Sequence, residues 1–228
     1  MNHVKKKIIL FDIDGTLITA GGAGTRSLNM AFHTLFNIED AFKNITMAGK
    51  TDIQIIKEGL GAHGFSVDGN VDRMTEMYLH FLKNEINNPL KKIKPGIKEV
   101  LDLLKTMGMP LGLLTGNLEE GARIKLSPFR LNEYFLAGAF GSDHEDRNEL
   151  LPIAIEKFTR KGFSFAPEEY IVVGDTPRDV ICAKVHGAFC IAVATGPYSK
   201  EELLRTDADI VLDSFADAGN CAVILGRV

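Results

Sequence analysis

The sequence predicts an α/β fold in which a parallel sheet, covered by helices on both faces, is interrupted early by an inserted helical unit. Three observations predict it. The runs Ile8-Ile9-Leu10-Phe11, Leu111-Gly112-Leu113-Leu114-Thr115 and Tyr170-Ile171-Val172-Val173 are apolar without alternation, the mark of strands buried on both faces. Stretches of helical periodicity separate the later strands, the order that parallel pairing demands. About a hundred residues lie between Asp14 and Thr115, where a parallel crossover needs only a dozen or so. The excess assigns residues 18–92 to a helical domain and leaves 1–17 and 93–228 as a discontinuous α/β core.

The first strand runs straight into Asp12 and Asp14 and is closed by Gly15-Thr16. A glycine-rich stretch, Ile18 to Gly24, follows; it lacks the Gly-Lys-Ser/Thr ending of a phosphate-cradling loop and reads as a hinge. Three amphipathic helices come next. The first carries Leu28, Ala31, Phe32, Leu35 and Phe36. The second carries Ile53, Ile56 and Leu60, with Thr51 or Asp52 as its cap, and the third Val71, Met74, Tyr78, Phe81 and Leu82. After Pro95 a helix bearing Ile97, Val100, Leu101 and Leu104 leads into the Leu111 strand. Helices near 119–127, 150–161 and 178–186 then alternate with strands near 136–141, 170–173, 189–193 and 208–212, and a last helix closes the chain.

Composition narrows the function classes. With 45% hydrophobic and 25% charged residues, the 228-residue chain is an ordinary globular protein. A net charge of −4 argues against a general nucleic-acid binder, which needs a basic face; Lys91, Lys92 and Lys94 sit among Pro89, Pro95 and Gly96 as a solvated linker. No apolar run approaches the roughly 20 residues that cross a bilayer. Lys5-Lys6-Lys7 makes a basic start, but the apolar run after it is short and broken by Asp12, so a cytoplasmic location is expected. Cys182, Cys190 and Cys221 share no metal-ligand spacing and read as reduced thiols. Either a monomer or a homodimer is compatible with this pattern.

Three strand ends carry polar, reactive residues. Side chains alternate along a strand, so Asp12 and Asp14 project to one side while Ile13 points away. Two acids side by side at a buried strand end need compensation, most simply a divalent cation; the plainer reading is a turn capped by Asp14. Thr115-Gly116-Asn117 ends a second strand and Gly174-Asp175, with Asp179 beyond, a third. Ligands of open α/β sheets bind outside the carboxyl ends of strands where the strand order reverses. With the first strand central, the three ends meet at that point.

The motifs Asp12-Ile13-Asp14-Gly15-Thr16, Leu113-Leu114-Thr115-Gly116-Asn117, an isolated Arg147, and Val172-Val173-Gly174-Asp175-Thr176-Pro177-Arg178-Asp179 together resemble the haloacid dehalogenase superfamily. The helical insertion resembles its capped phosphatase branch, near phosphoglycolate phosphatases and β-phosphoglucomutases. The resemblance covers essentially the whole chain and implies a Rossmann-like core of strand order 3-2-1-4-5-6 under a helical cap. It implies a Mg²⁺-dependent phosphomonoester hydrolase acting on a small phosphorylated metabolite such as phosphoglycolate, or alternatively a sugar phosphomutase.

By the same resemblance Asp12 is the nucleophile and Asp14 the general acid and base. Asp12, the backbone carbonyl of Asp14 and Asp175 hold Mg²⁺, while Asp179 orients the ligand shell. Thr115 and the backbone about Gly15, Thr16, Gly116 and Asn117 hold phosphate oxygens, although Thr115 also suits a helix cap. Arg147 stands where the family more often has lysine. It carries the required positive charge, and its other reading is a surface ion pair with Asp143 or Glu145, which would leave Lys157 or Lys161 to replace it. In the cap, Met47 to Asp52 resembles the branch's specificity loop, with Lys50 either reaching the substrate or lying solvated at the surface.

Overall fold

The computed structural model describes residues 7–227; Lys5 and Lys6 of the basic start lie outside the described residues. Six strands form one sheet: β1 (Ile8–Phe11), β4 (Leu111–Thr115), β5 (Ala137–Phe140), β6 (Tyr170–Gly174), β7 (Phe189–Val193) and β8 (Ile210–Leu212). Their spatial order is β5-β4-β1-β6-β7-β8, and every pairing is parallel. Counted over these six strands alone, the order is the expected 3-2-1-4-5-6.

Strand alternation divides the core. Ile9, Phe11, Leu113, Val173 and Ile191 face one side, where α4 (Ile97–Thr106), α5 (Glu119–Leu126) and α9 (Ala218–Arg227) cover them. Ile8, Leu10, Leu114, Val172 and Cys190 face the other, under α6 (Leu150–Thr159) and α7 (Pro177–Lys184). All four β1 side chains are fully buried. The lack of alternation in its sequence has that cause: both faces of the central strand are dry. A four-residue helix, α8 (Lys200–Leu203), completes the core.

Residues 18–92 hold α1 (Ala23–Phe36), α2 (Asp52–Ala62) and α3 (Asn70–Glu85), with an apolar cluster of their own. Leu28, Phe32, Ile56, Leu60, Met74, Tyr78 and Leu82 fill it, while Ile55 rather than Ile53 is the inward residue of the first turn of α2. Thr51 caps α2 through a reciprocal pair of bonds with Gln54. The passages into and out of this helical unit differ from the expected loose hinge. They pair as a two-stranded antiparallel ribbon, β2 (Ile18–Thr19) with β3 (Lys92–Ile93), and Asn88 Nδ2 donates to the Ala20 carbonyl at 3.0 Å. Among the described residues no helix is long and apolar enough to cross a membrane.

Candidate active site

Parallel register brings the three reactive strand ends together. Phe11 pairs with Leu113 on one side and Val173 on the other, so Asp12, Thr115 and Asp175 leave the sheet at adjacent positions. The strand order reverses there, and a cavity of about 560 Å³ opens above. Asp12, Asp14, Thr115, Asn117, Arg147 and Asp175 line its floor. Thr25, Leu28, Met47, Ile55 and Tyr78 of the helical unit line its roof.

Asp12 is buried, with the Thr115 hydroxyl close to its carboxylate. Burial pushes its carboxyl up from 3.8 to about 6; the Arg147 guanidinium opposes the rise, and the Asp179 and Asp14 charges add to it. Asp175 stands well above the usual carboxylate range, first through burial and then through the neighbouring charges of Asp12 and Asp179. Its Oδ1 accepts the Thr16 hydroxyl at 2.7 Å, so Thr16 spends its hydroxyl on a neighbouring acid. Its buried Oδ2 has no hydrogen-bond partner among the described residues.

Two glycines make room for that acid. A Cβ on Gly15, whose φ is +91°, falls 2.2 Å from Asp175 Oδ2, and one on Gly196 falls 1.6 Å from it. Asp179 is seated by the start of α7: the backbone N–H and hydroxyl of Thr176 donate to its Oδ2 at 2.9 and 2.8 Å. Gly174 leaves the space it occupies.

Oxygens of Asp12, Asp175 and Asp179 all lie within 4.8 Å of one another. The Asp14 side chain is outside this group and accepts from Asn117 and Lys125 instead. Arg147 is the cation that enters it. Only 4% exposed, it sits at the start of a short 3-10 turn capped by Asp146. Its Nη2 lies 3.1 Å from Asp12 Oδ1 and donates to Asp179 Oδ1, while Nη1 donates to the Gly49 carbonyl at 3.3 Å. Asp143 and Glu145 take Lys157 and Lys57 as partners, so the surface pairing weighed for Arg147 does not form.

One guanidinium faces three buried carboxylates. The shortfall of positive charge, the unpartnered Asp175 oxygen and the all-oxygen donor set fit a hard divalent cation.

The loop carrying Lys50 lies on the core. Asp52 N–H donates to the Gly116 carbonyl at 2.7 Å, and Thr51 Oγ to that of Glu145 at 2.7 Å. Gly116 is needed for this: a Cβ there falls 2.1 Å from the Lys50 carbonyl oxygen. Lys50 lines the cavity, but its ammonium is paired with Glu58 at 2.6 Å.

Lys125, Tyr78 and the carboxylate of Asp52 are site residues that the sequence reading missed. Lys125 was hidden among Arg123, Ile124 and Leu126 as one more helical lysine. Its signal is positional: Gly121, Ala122, Lys125 and Leu126 are the buried stripe of α5. Asp52 was read only as a helix cap and as the end of the 47–52 loop.

The family model of haloacid dehalogenase-like hydrolases matches residues 9–193. The phosphoglycolate phosphatase of Rhodospirillum rubrum is 27% identical over 220 residues, 94% of this chain and 90% of its own. Phosphoglycolate phosphatase 1 of Pseudomonas aeruginosa is 23% identical over 218 residues, 95% of this chain and 79% of its own. In fold, the chain is similar to CbbY from Rhodobacter sphaeroides in complex with phosphate, with a TM-score of 0.75 at 21% identity, covering 94% of this chain and 97% of that one.

Proposed function

The chain belongs to the haloacid dehalogenase-like hydrolase family, as a hydrolase of the phosphatase kind, and we propose that it cleaves a small phosphomonoester through an aspartyl-phosphate on Asp12. The observation that carries this reading is the gathering of Asp12, Thr115, Arg147, Asp175 and Asp179 at one end of the sheet, beneath a single cavity. Phosphoryl transfer asks a protein mainly for positioning and charge neutralisation, and this constellation offers both.

An Asp12 carboxylate oxygen attacks phosphorus as the ester oxygen departs, and Asp14 protonates that leaving alkoxide. Asp14 then takes a proton from the water that attacks the acyl-phosphate phosphorus, which frees inorganic phosphate and restores Asp12. Thr115 and the backbone about Gly15, Thr16, Gly116 and Asn117 hold the phosphoryl oxygens. Arg147, fixed on Asp12 and Asp179, offsets the charge that gathers there.

Asp12, Asp175 and the Asp14 carbonyl would hold Mg²⁺, and Asp179 would orient the shell. When bound, the cation neutralises the repulsion between the Asp12 carboxylate and a phosphate dianion. Residues 18–92 act as a cap that excludes water from the transfer, with Lys50 at its rim. Phosphoglycolate is the first substrate to test, because the two relatives named above carry that activity in their names.

Asp12→Asn keeps the side-chain volume and removes the nucleophile. Mg²⁺-dependent release of phosphate from p-nitrophenyl phosphate is expected to vanish while circular dichroism stays native. Turnover at the wild-type rate in that variant overturns the assignment.

A further inference from the structure

Lys125 has no part in the chemistry above, yet it is 5% exposed and sits against the acid-base residue. Burying an ammonium costs several kcal/mol unless its donors are met. Nζ donates to Asp14 Oδ2 at 2.6 Å and to Asn117 Oδ1 at 2.5 Å, and the hydroxyl of the buried Tyr78 stands beside it. A lysine held by two short bonds among three oxygens is a fixed point, unlike the flexible lysines of a helix surface.

What it fixes is one oxygen of Asp14. Oδ2 accepts from Lys125 and also from Asn117 Nδ2 at 2.9 Å, which is itself tied to the Thr115 hydroxyl at 2.9 Å. With Oδ2 occupied by two donors, Oδ1 is the oxygen left to carry a proton. The Asp14 side chain is 41% exposed and lines the cavity, so that oxygen has access to a bound ester.

The third neighbour of the ammonium belongs to the helical unit. Tyr78 belongs to α3, and Asp52, at the start of α2, faces the same ammonium while its Oδ2 accepts the Leu118 N–H at 2.9 Å. Two of the elements that roof the cavity, α2 and α3, therefore come up against Lys125, and Gly24 of α1 passes close enough that a Cβ there would lie 3.6 Å from Nζ.

We propose that Lys125 is the positioning residue of Asp14: it clamps Oδ2, presents Oδ1 to the ester oxygen, and through Tyr78 ties that pose to the seating of the helical unit. The proposal rests on the reading of Asp14 as general acid. It makes Asp14 competent only when the roof is in place, so that proton transfer is coupled to the exclusion of water.

The test is the dependence of kcat/KM on leaving group, measured with Mg²⁺ on p-nitrophenyl phosphate, which needs little protonation, and on phenyl phosphate, which needs more. General acid catalysis contributes about 10²–10⁴-fold, so Lys125→Met is expected to lose about ten-fold more on phenyl phosphate than on p-nitrophenyl phosphate. An equal loss on both substrates overturns the proposal and leaves Lys125 a structural residue. Tyr78→Phe keeps every charge in place and answers the question if Lys125→Met does not fold. Its expected effect is a smaller loss with the same bias, and an unbiased response overturns the link to the helical unit.

Asp14→Asn separates the two layers of the reading. A strong bias in that variant beside an unbiased Lys125→Met sinks the positioning role alone. A wild-type leaving-group response in Asp14→Asn removes the acid assignment and the proposal with it. In the double variant, Lys125→Met is expected to add no bias beyond that of Asp14→Asn.

Discussion

Arg147 is placed so that, in the proposed reaction, one side chain would serve stability and chemistry together. Its guanidinium is the only cation in contact with Asp12 and Asp179 among the described residues, and its other amino group reaches the Gly49 carbonyl. Removing one partner from a buried ion pair costs about 3–5 kcal/mol because the remaining charge is left uncompensated. Arg147→Ala is therefore expected to lower the urea midpoint markedly and to cut kcat by about 10²-fold or more, the scale seen when one preorganised donor is lost. Arg147→Lys restores the charge but reaches fewer acceptors, so it should recover stability better than rate. An unchanged kcat in Arg147→Ala moves the required cation elsewhere. Asp12, Asp14 and Asp175 were legible in the sequence because strand alternation and strand ends are written in apolar runs. Lys125 was not, because a lysine's burial depends on which face its helix presents, and α5 is too short for its stripe to stand out.

At the scale of elements, glycines decide where the helical unit meets the core. Gly116 carries no side chain because the Lys50 carbonyl oxygen passes where its Cβ would stand, and a Cβ on Gly141 would fall 2.1 Å from the Gly116 carbonyl oxygen. Gly116→Ala forces the Lys50 loop outward and breaks the 2.7 Å bond from Asp52 N–H. The expected result is a fall in kcat/KM of about ten-fold or more with a small change in Tm, since a 1 Å misplacement can cost about 10²-fold in rate. Wild-type kinetics in that variant would show that the loop's seat is irrelevant to turnover. Here too legibility followed physics. The long apolar strands and the helical stripes fell within a few residues of their observed bounds, α5 at Glu119–Leu126 against an expected 119–127. The β2–β3 ribbon escaped, because two residues per strand leave no period to read and their pairing joins positions more than seventy residues apart.

For the whole molecule, the balance of buried charge predicts a dependence on pH and, through the proposed cation site, on Mg²⁺. Burial raises Asp12 and Asp52 from 3.8 to about 6 in the folded protein, and Asp175 rises in the same direction. A folded-state value above the unfolded one means that the native protein holds extra protons between roughly pH 4 and 6. The stability these carboxyls contribute is fully present below the unfolded value and is lost as pH rises through about 6. Each displacement of that size corresponds to about 3 kcal/mol. A divalent cation bound by the acidic cluster reverses the loss at Asp12 and Asp175, because it requires their ionised forms and binds the folded state alone. Asp52 lies outside the cluster, held by Leu118 N–H and facing Lys125, so its share stays metal-independent. The metal-free protein is thus expected to melt at a lower temperature near pH 7.5 than at about pH 5.5 once surface charges are screened with salt. Millimolar Mg²⁺ should raise Tm by several degrees at about pH 7.5 and by little at about pH 5, where protons hold the ligands. Asp175→Asn should abolish the Mg²⁺ increment while leaving the Asp52 contribution in place. Differential scanning calorimetry at the two pH values, with and without Mg²⁺, measures all of these quantities. An Mg²⁺ increment of equal size at both, or one that survives Asp175→Asn, would place the cation away from the buried acids.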